Sequence, residues 1–106
     1  MTCKELCKKI NGKILSGDGE RELKGCYIGD LLSLAMSKVQ EDNLWITIQS
    51  NINIVAVASL TDAGCILICD GFMPDEDALK KAIDEDITII TSEKSAYELA
   101  IAFYEN

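Results

Sequence analysis

The sequence predicts a three-layer α/β/α single domain built on a mostly parallel sheet of about five strands, with an N-terminal hairpin. Three observations carry this expectation. The runs Leu44–Ile48, Cys65–Cys69 and Ile87–Thr91 are continuously apolar rather than alternating, as strands covered on both faces are. Helix signals lie between and around these runs, so strands and helices alternate. Pro occurs once and no linker, repeat or low-complexity stretch interrupts the chain, so one domain over residues 1–106 is expected.

Each element has its own local reason. Thr2 can cap a first helix running through Lys9, with Leu6 and Ile10 facing inward. Lys13–Ser16 reads as a short strand and Gly17-Asp18-Gly19-Glu20 as a turn, since glycines tolerate positive φ. Glu22–Ile28 returns as a strand, which makes an antiparallel first pair. Asp30 is a good N-cap for Leu31–Val39, where Leu31, Leu34, Ala35 and Lys38 share a face. Asn51 caps Ile52–Ala63, and Gly64 ends that helix from the left-handed position. Pro74-Asp75-Glu76-Asp77 opens the next helix, with acidic residues at its positive dipole end and a stripe of Ala78, Leu79, Ala82 and Ile83. Ser95 caps the last helix, which runs to about Glu105.

That last helix is apolar almost all round, and only Glu98 and Glu105 form a polar line. A helix of this kind buries more than one side. In so small a domain the second side is expected to meet another subunit, through Tyr97, Ile101, Phe103 and Tyr104. A homodimer is the expected assembly. The alternative is packing between the sheet and the first helix of the same chain.

Composition removes several classes of chemistry. There is no His, hence no Ser-His or Cys-His nucleophile pair and no imidazole metal ligand. A net charge of −8 repels phosphate backbones, so no nucleic acid partner is expected. No apolar run is long enough to span a bilayer, and Met1-Thr2-Cys3-Lys4-Glu5 lacks the apolar segment of a signal peptide, so a cytoplasmic location away from membranes is expected. Five Cys, with no Cys-x-x-Cys pair, read as reduced small hydrophobes. Cys3 and Cys7 would share a helix face, and Cys65 and Cys69 a strand face. Strand spacing separates the latter sulfurs by roughly 13 Å, too far for one metal to bridge. No metal and no cofactor are expected.

Ligands of a parallel sheet collect beyond the carboxyl ends of its strands. Here those ends are Ile28-Gly29-Asp30, Gln49-Ser50-Asn51, Asp70-Gly71-Phe72 and Thr91-Ser92-Glu93, each polar and each leading to a helix start. Tyr27, Asp30, Gln49, Ser50, Asn51, Asp70 and Gly71 are therefore the candidate ligand-binding residues for an anion or a small polar molecule. No catalytic residue is assigned. The phosphate loop, the dinucleotide fingerprint and the nucleophile elbow are all missing from the sequence.

Several stretches resemble the DRTGG domain family. They are Tyr27-Ile28-Gly29-Asp30-Leu31-Leu32-Ser33, Asn43 to Gln49, Asn53 to Ala58, Pro74-Asp75-Glu76 and Ser95 to Ala100. The resemblance covers most of the chain. It implies a fold similar to the N-terminal domain of HPr kinase/phosphorylase, three layers around a mostly parallel sheet. It also implies a regulatory or dimer-forming module of the kind fused to phosphate acetyltransferase and to CBS-containing pyrophosphatase. Where the family has a Gly-Asp-Arg turn this chain reads Gln49-Ser50-Asn51. Where it has Thr-Gly-Gly this chain reads Cys69-Asp70-Gly71, so the Arg is absent and an Asp stands for a glycine.

The expected function is thus a non-catalytic regulatory module that dimerises and binds a partner enzyme or a small polar ligand, linked to energy or phosphate metabolism. The alternative is a sensor of a nucleotide, acyl phosphate or other anion. A hydrolase or transferase using Asp30 or Asp70 as base is the remaining reading.

Overall fold

In a computed structural model describing residues 1–105, the elements follow the order α1 (Cys3–Lys9), β1 (Lys13–Ser16), β2 (Cys26–Ile28), α2 (Leu32–Lys38), β3 (Leu44–Thr47), α3 (Asn53–Thr61), β4 (Cys65–Ile68), α4 (Glu76–Asp84), β5 (Ile89–Thr91) and α5 (Ala96–Tyr104). The strands form one sheet of order β1-β5-β4-β3-β2. β2, β3, β4 and β5 are parallel, and β1 is antiparallel to β5. The expected three-layer α/β/α architecture is present.

Strand alternation sends successive side chains to opposite faces, and each face has its own core. Trp45, Ile66, Ile68 and Ile89 lie under α2, α3 and α4 with Ala35, Ile54, Ala58, Ala78 and Ala82. Leu44, Ile46, Leu67 and Ile90 lie under α1 and α5 with Leu6, Ile10 and Leu99. The three apolar runs are buried at every strand position. Burying both faces removes a large apolar area from water, each Å² contributing about 25 cal/mol. Among the described residues no helix is long and apolar enough to cross a membrane.

The expected N-terminal hairpin does not form. β1 and β2 occupy opposite edges of the sheet. The residues between them are claimed by the N-terminus instead: Cys3 N–H donates to the Arg21 carbonyl, Lys4 N–H to the Gly19 carbonyl, and Leu23 N–H to the Met1 carbonyl. Arg21 then ion-pairs with Asp42 (2.8 Å) and Asp62 (3.0 Å), in the loops before β3 and β4. The segment so crosses the amino ends of the parallel strands, and only Cys26–Ile28 remains to form β2.

Other local expectations also shift. The helix end assigned to Gly64 falls at Asp62, which takes the left-handed conformation with φ 58°. Gly64 serves close packing: a Cβ there would lie 2.6 Å from Leu23 Cδ2 and 2.7 Å from the Asp42 carbonyl oxygen. On α4 the stripe narrows to buried Ala78 and Ala82, with Ile83 exposed. Thr2 and Ser95 cap α1 and α5, each in a reciprocal box with Glu5 and Glu98. Only Leu99 of α5 is fully buried, while Tyr97 is 75% and Tyr104 89% exposed.

Candidate functional site

Because β2 to β5 are parallel, their carboxyl ends share one rim. Asp30 follows β2 but does not cap α2, whose first turn has no side-chain cap. Its Oδ1 accepts instead from the Thr47 hydroxyl (2.9 Å) and from the Ile48 N–H (2.9 Å), at the end of β3. The pull of two well-placed donors across the strand ends outweighs a local cap. Gln49 extends the network: its Nε2 donates to the Asp30 carbonyl (2.8 Å) and its Oε1 accepts from Asn51 Nδ2 (3.1 Å). Asn51 Oδ1 accepts from the Asn53 N–H (2.9 Å), but the expected cap falls one residue outside: α3 starts at Asn53 with Ile52 in the cap position and no side-chain cap. The Ser50 carbonyl accepts from the Asp75 N–H (2.8 Å), which fastens this loop to the start of α4.

Asp70 and Gly71 are the centre of a tight turn. Their φ values are 58° and 77°, and Phe72 N–H donates to the Cys69 carbonyl (3.2 Å). Both central residues at positive φ make this a primed turn, which suits Asp followed by Gly. It is pinned to the loop after β5, since Asp70 N–H donates to the Lys94 carbonyl (2.9 Å) and Gly71 N–H to the Ser92 carbonyl (3.0 Å). Cys69 Sγ lies against Asp70 Oδ2 (3.4 Å) and the Thr47 carbonyl (3.7 Å). Burial, reinforced by the Asp70 carboxylate, pushes the Cys69 thiol up to about 11. Thr47 thereby joins the two halves of the rim, one through its hydroxyl and the other through its carbonyl.

The sequence-derived candidates sort into three places. Asp30, Gln49 and Asn51 form one network, and Ser50 beside them bonds through its carbonyl to the Asp75 N–H. Asp70 and Gly71 form the adjoining turn. Tyr27 is half-buried in β2, with its hydroxyl over Gly29, where a Cβ would come within 2.7 Å of it. A concavity of about 400 Å³ opens beside the turn, lined by Asn11, Lys13, Gly71, Phe72, Met73 and Glu93. Sequence reasoning missed Lys13, Phe72 and Met73. Lys13 reaches the rim because β1 is antiparallel and pairs Lys13 with Thr91. Phe72 and Met73, two exposed apolar residues straight after a polar turn, were the visible signal.

A smaller cleft, of about 220 Å³, lies at the opposite rim among Asp18, Arg21, Asp62, Glu85 and Asp86. Its one cation, Arg21, is already held by Asp42 and Asp62. Among the described residues no three His, Cys, Asp or Glu side chains converge as metal ligands. The neighbouring Cys3 side chain, together with burial, holds the Cys65 thiol well above its ordinary value.

With this geometry in view, comparison with known proteins gives two findings. A family model described as the DRTGG domain matches residues 5–104. Among solved structures, the fold is similar to the CBS and DRTGG domains of the regulatory region of Clostridium perfringens pyrophosphatase, crystallised with its activator diadenosine tetraphosphate. The TM-score is 0.74 at 11% identity, and the match covers 93% of this chain and 44% of that chain. No curated protein matches the chain.

Proposed function

The chain belongs to the DRTGG domain family, and from that premise we propose that it is a regulatory module, one domain over residues 1–106, that binds rather than converts its ligand. The observation that carries this reading is the state of the rim. Asp30 Oδ1 takes the Thr47 hydroxyl and the Ile48 N–H, and Gln49 and Asn51 hold each other. Side chains spent on fixing strand ends are suited to a scaffold. The module acts on an enzyme of energy or phosphate metabolism, either fused to it or docked on it, in a reducing cytoplasmic setting that fits five free cysteines.

A second reading, a small-molecule sensor, is favoured by the concavity beside Asp70 and Gly71. It places a cation, Lys13, beside the apolar surface of Phe72 and Met73. That combination suits a ligand with an anionic part and a flat or apolar part, such as a nucleotide. Self-association through α5, by Tyr97, Ile101, Phe103 and Tyr104, completes the proposal.

One experiment separates these readings. Melting temperature is recorded with ATP, diadenosine tetraphosphate, acetyl phosphate and pyrophosphate, and the same mixtures are assayed for released phosphate or acetate. A binder at 100 times its Kd adds about 2.7 kcal/mol. A rise with no turnover supports the sensor. Silence across the panel removes the sensor and leaves a protein partner, and turnover of any of the four overturns the regulatory reading.

A further inference from the structure

Two features of one sheet edge belong together. β2 is the outermost strand on its side. Leu44 N–H donates to the Gly25 carbonyl (2.9 Å) and Gly29 N–H to the Ile46 carbonyl (3.1 Å), so these groups face β3. Alternation along the strand turns Tyr27 the same way and points the N–H and C=O of Cys26 and Ile28 outward. The edge is short, three residues, but carries no Pro, Lys or bulge within Cys26–Ile28, three other devices that blunt a free strand. The other edge, β1, begins at Lys13 and breaks register between Ile14 and Ser16.

Beside the bare edge runs a groove of about 610 Å³, formed by Cys26, Tyr27 and Ile28 with Ala100, Phe103 and Tyr104 of α5. No charged side chain lines it, on a chain with a net charge of −8. Two copies repel each other over most of their surface, and this carboxylate-free strip is where they can approach. Ile28 is 48% and Tyr104 89% exposed along it.

We propose that this edge is completed by a second copy of the chain, with β2 running antiparallel to its counterpart about a two-fold axis at Tyr27. Cys26 then faces the partner subunit's Ile28, and each outward N–H meets an outward C=O. The occupant must be an extended strand, because only a strand satisfies that alternating row of donors and acceptors. A second copy fits because the row is self-complementary, as a two-fold interface requires. The axis stands perpendicular to the sheet, so both α5 helices stay on one face and Phe103 and Tyr104 close over the seam. The strip offers on the order of a few hundred Å², below the ~800 Å² that each partner gives a standard interface.

This inference deepens the association part of the function proposed above and rests on it. Sedimentation equilibrium of the wild type, Ile28→Lys and Tyr97→Glu, with Leu60→Glu on the exposed side of α3 as control, tests it together with oxidative cross-linking of Ile28→Cys to the native Cys26. The expected result is a wild-type dimer, a dissociation constant raised about 100-fold or more by Ile28→Lys and less by Tyr97→Glu, little change for Leu60→Glu, and a cross-linked dimer from Ile28→Cys. A dimer weakened by Tyr97→Glu but not by Ile28→Lys, with no cross-link, overturns the edge pairing while leaving association through α5 standing. A wild type that stays monomeric at about 100 µM overturns both.

Discussion

Asp30 and Thr47 hydrogen-bond across the carboxyl ends of two neighbouring strands, at 2.9 Å, and the same Asp30 oxygen takes the Ile48 N–H. The pair sets the spacing of the rim before any ligand arrives. Hydrogen bonds to a charged group contribute about 1.5–3 kcal/mol each, and the exposure of Asp30 reduces that by solvent screening. Asp30→Ala is expected to lower the stability by about 1 kcal/mol, read as a lower urea midpoint with an unchanged slope. An unchanged midpoint would show that Asp30 does not brace the rim.

Gly64→Ala is expected to be more damaging. The added methyl meets Leu23 Cδ2 at 2.6 Å and the Asp42 carbonyl at 2.7 Å. One neighbour is backbone and cannot rotate away. Overpacking of this kind costs about 1–3 kcal/mol. Thermal denaturation checks it, and a variant that melts with the wild type contradicts the close approach of the Asp42 loop to β4.

Asp70 sits at φ 58°, where a side chain is strained and glycine is not. Asp70→Gly is expected to leave stability equal or higher by up to about 1 kcal/mol, although the contact with Cys69 Sγ is lost. Asp70→Val is expected to lower it by about 1–2 kcal/mol, since a branched residue resists the left-handed conformation. Equal denaturation midpoints for the two variants would rule out the primed turn.

Thiol chemistry gives an independent check on the packing of the groove. Burial pushes the Cys26 thiol up to about 11, as it does Cys69. Relative to an ordinary value of 9.0, the thiolate at pH 8 falls about 100-fold for each. Cys3, Cys7 and Cys65 are buried. A thiol-disulfide reagent is expected to react with the native protein about 100-fold more slowly than with the protein in denaturant. Equal rates would mean that burial does not raise the thiol of Cys26, whose residue is exposed at the sheet edge.

Acid should weaken the protein through its two capping boxes. Hydrogen bonds from the backbone and side chain of Thr2 hold the Glu5 carboxyl below its ordinary value of 4.5, and Ser95 does the same for Glu98. A carboxyl with a depressed folded-state pKa adds stability that is fully present above the unfolded value. That stability is lost as pH falls through the folded value. The melting temperature is therefore expected to drop below about pH 4.5, and Glu98→Gln should flatten part of that drop. The same slope in the variant as in the wild type would remove Glu98 from the account.

Much of this architecture was legible because it rests on local or two-sided patterns. Leu44–Ile48, polar only at Thr47, and Cys65–Cys69, apolar throughout, announce central strands, and Thr2 and Ser95 announce helix starts through Glu5 and Glu98. The hairpin expectation failed because Arg21 and its neighbours are bound by groups distant in sequence, Asp42 and Asp62 among them. No local period encodes such a partner. Asp30 has the right residue type for a cap, and only the nearness of β3 redirected it. At the rim, Asp30, Gln49 and Asn51 of the candidates bond to one another, but Lys13 entered through the antiparallel placement of β1, which nothing near Lys13 signals.

The pairing of Lys13 with Thr91 and of Ile14 with Ile90 also sets an order of events. β1 has no ladder partner until β5, far along the chain, has formed. Contacts so distant along the chain make folding slow, and during translation the nascent β1 waits with its ladder groups open. Pulse-labelling hydrogen exchange should find the β1 amides among the last to gain protection, after those shared by β3 and β4. Early protection there would mean that the first strand is held by something other than its final neighbour.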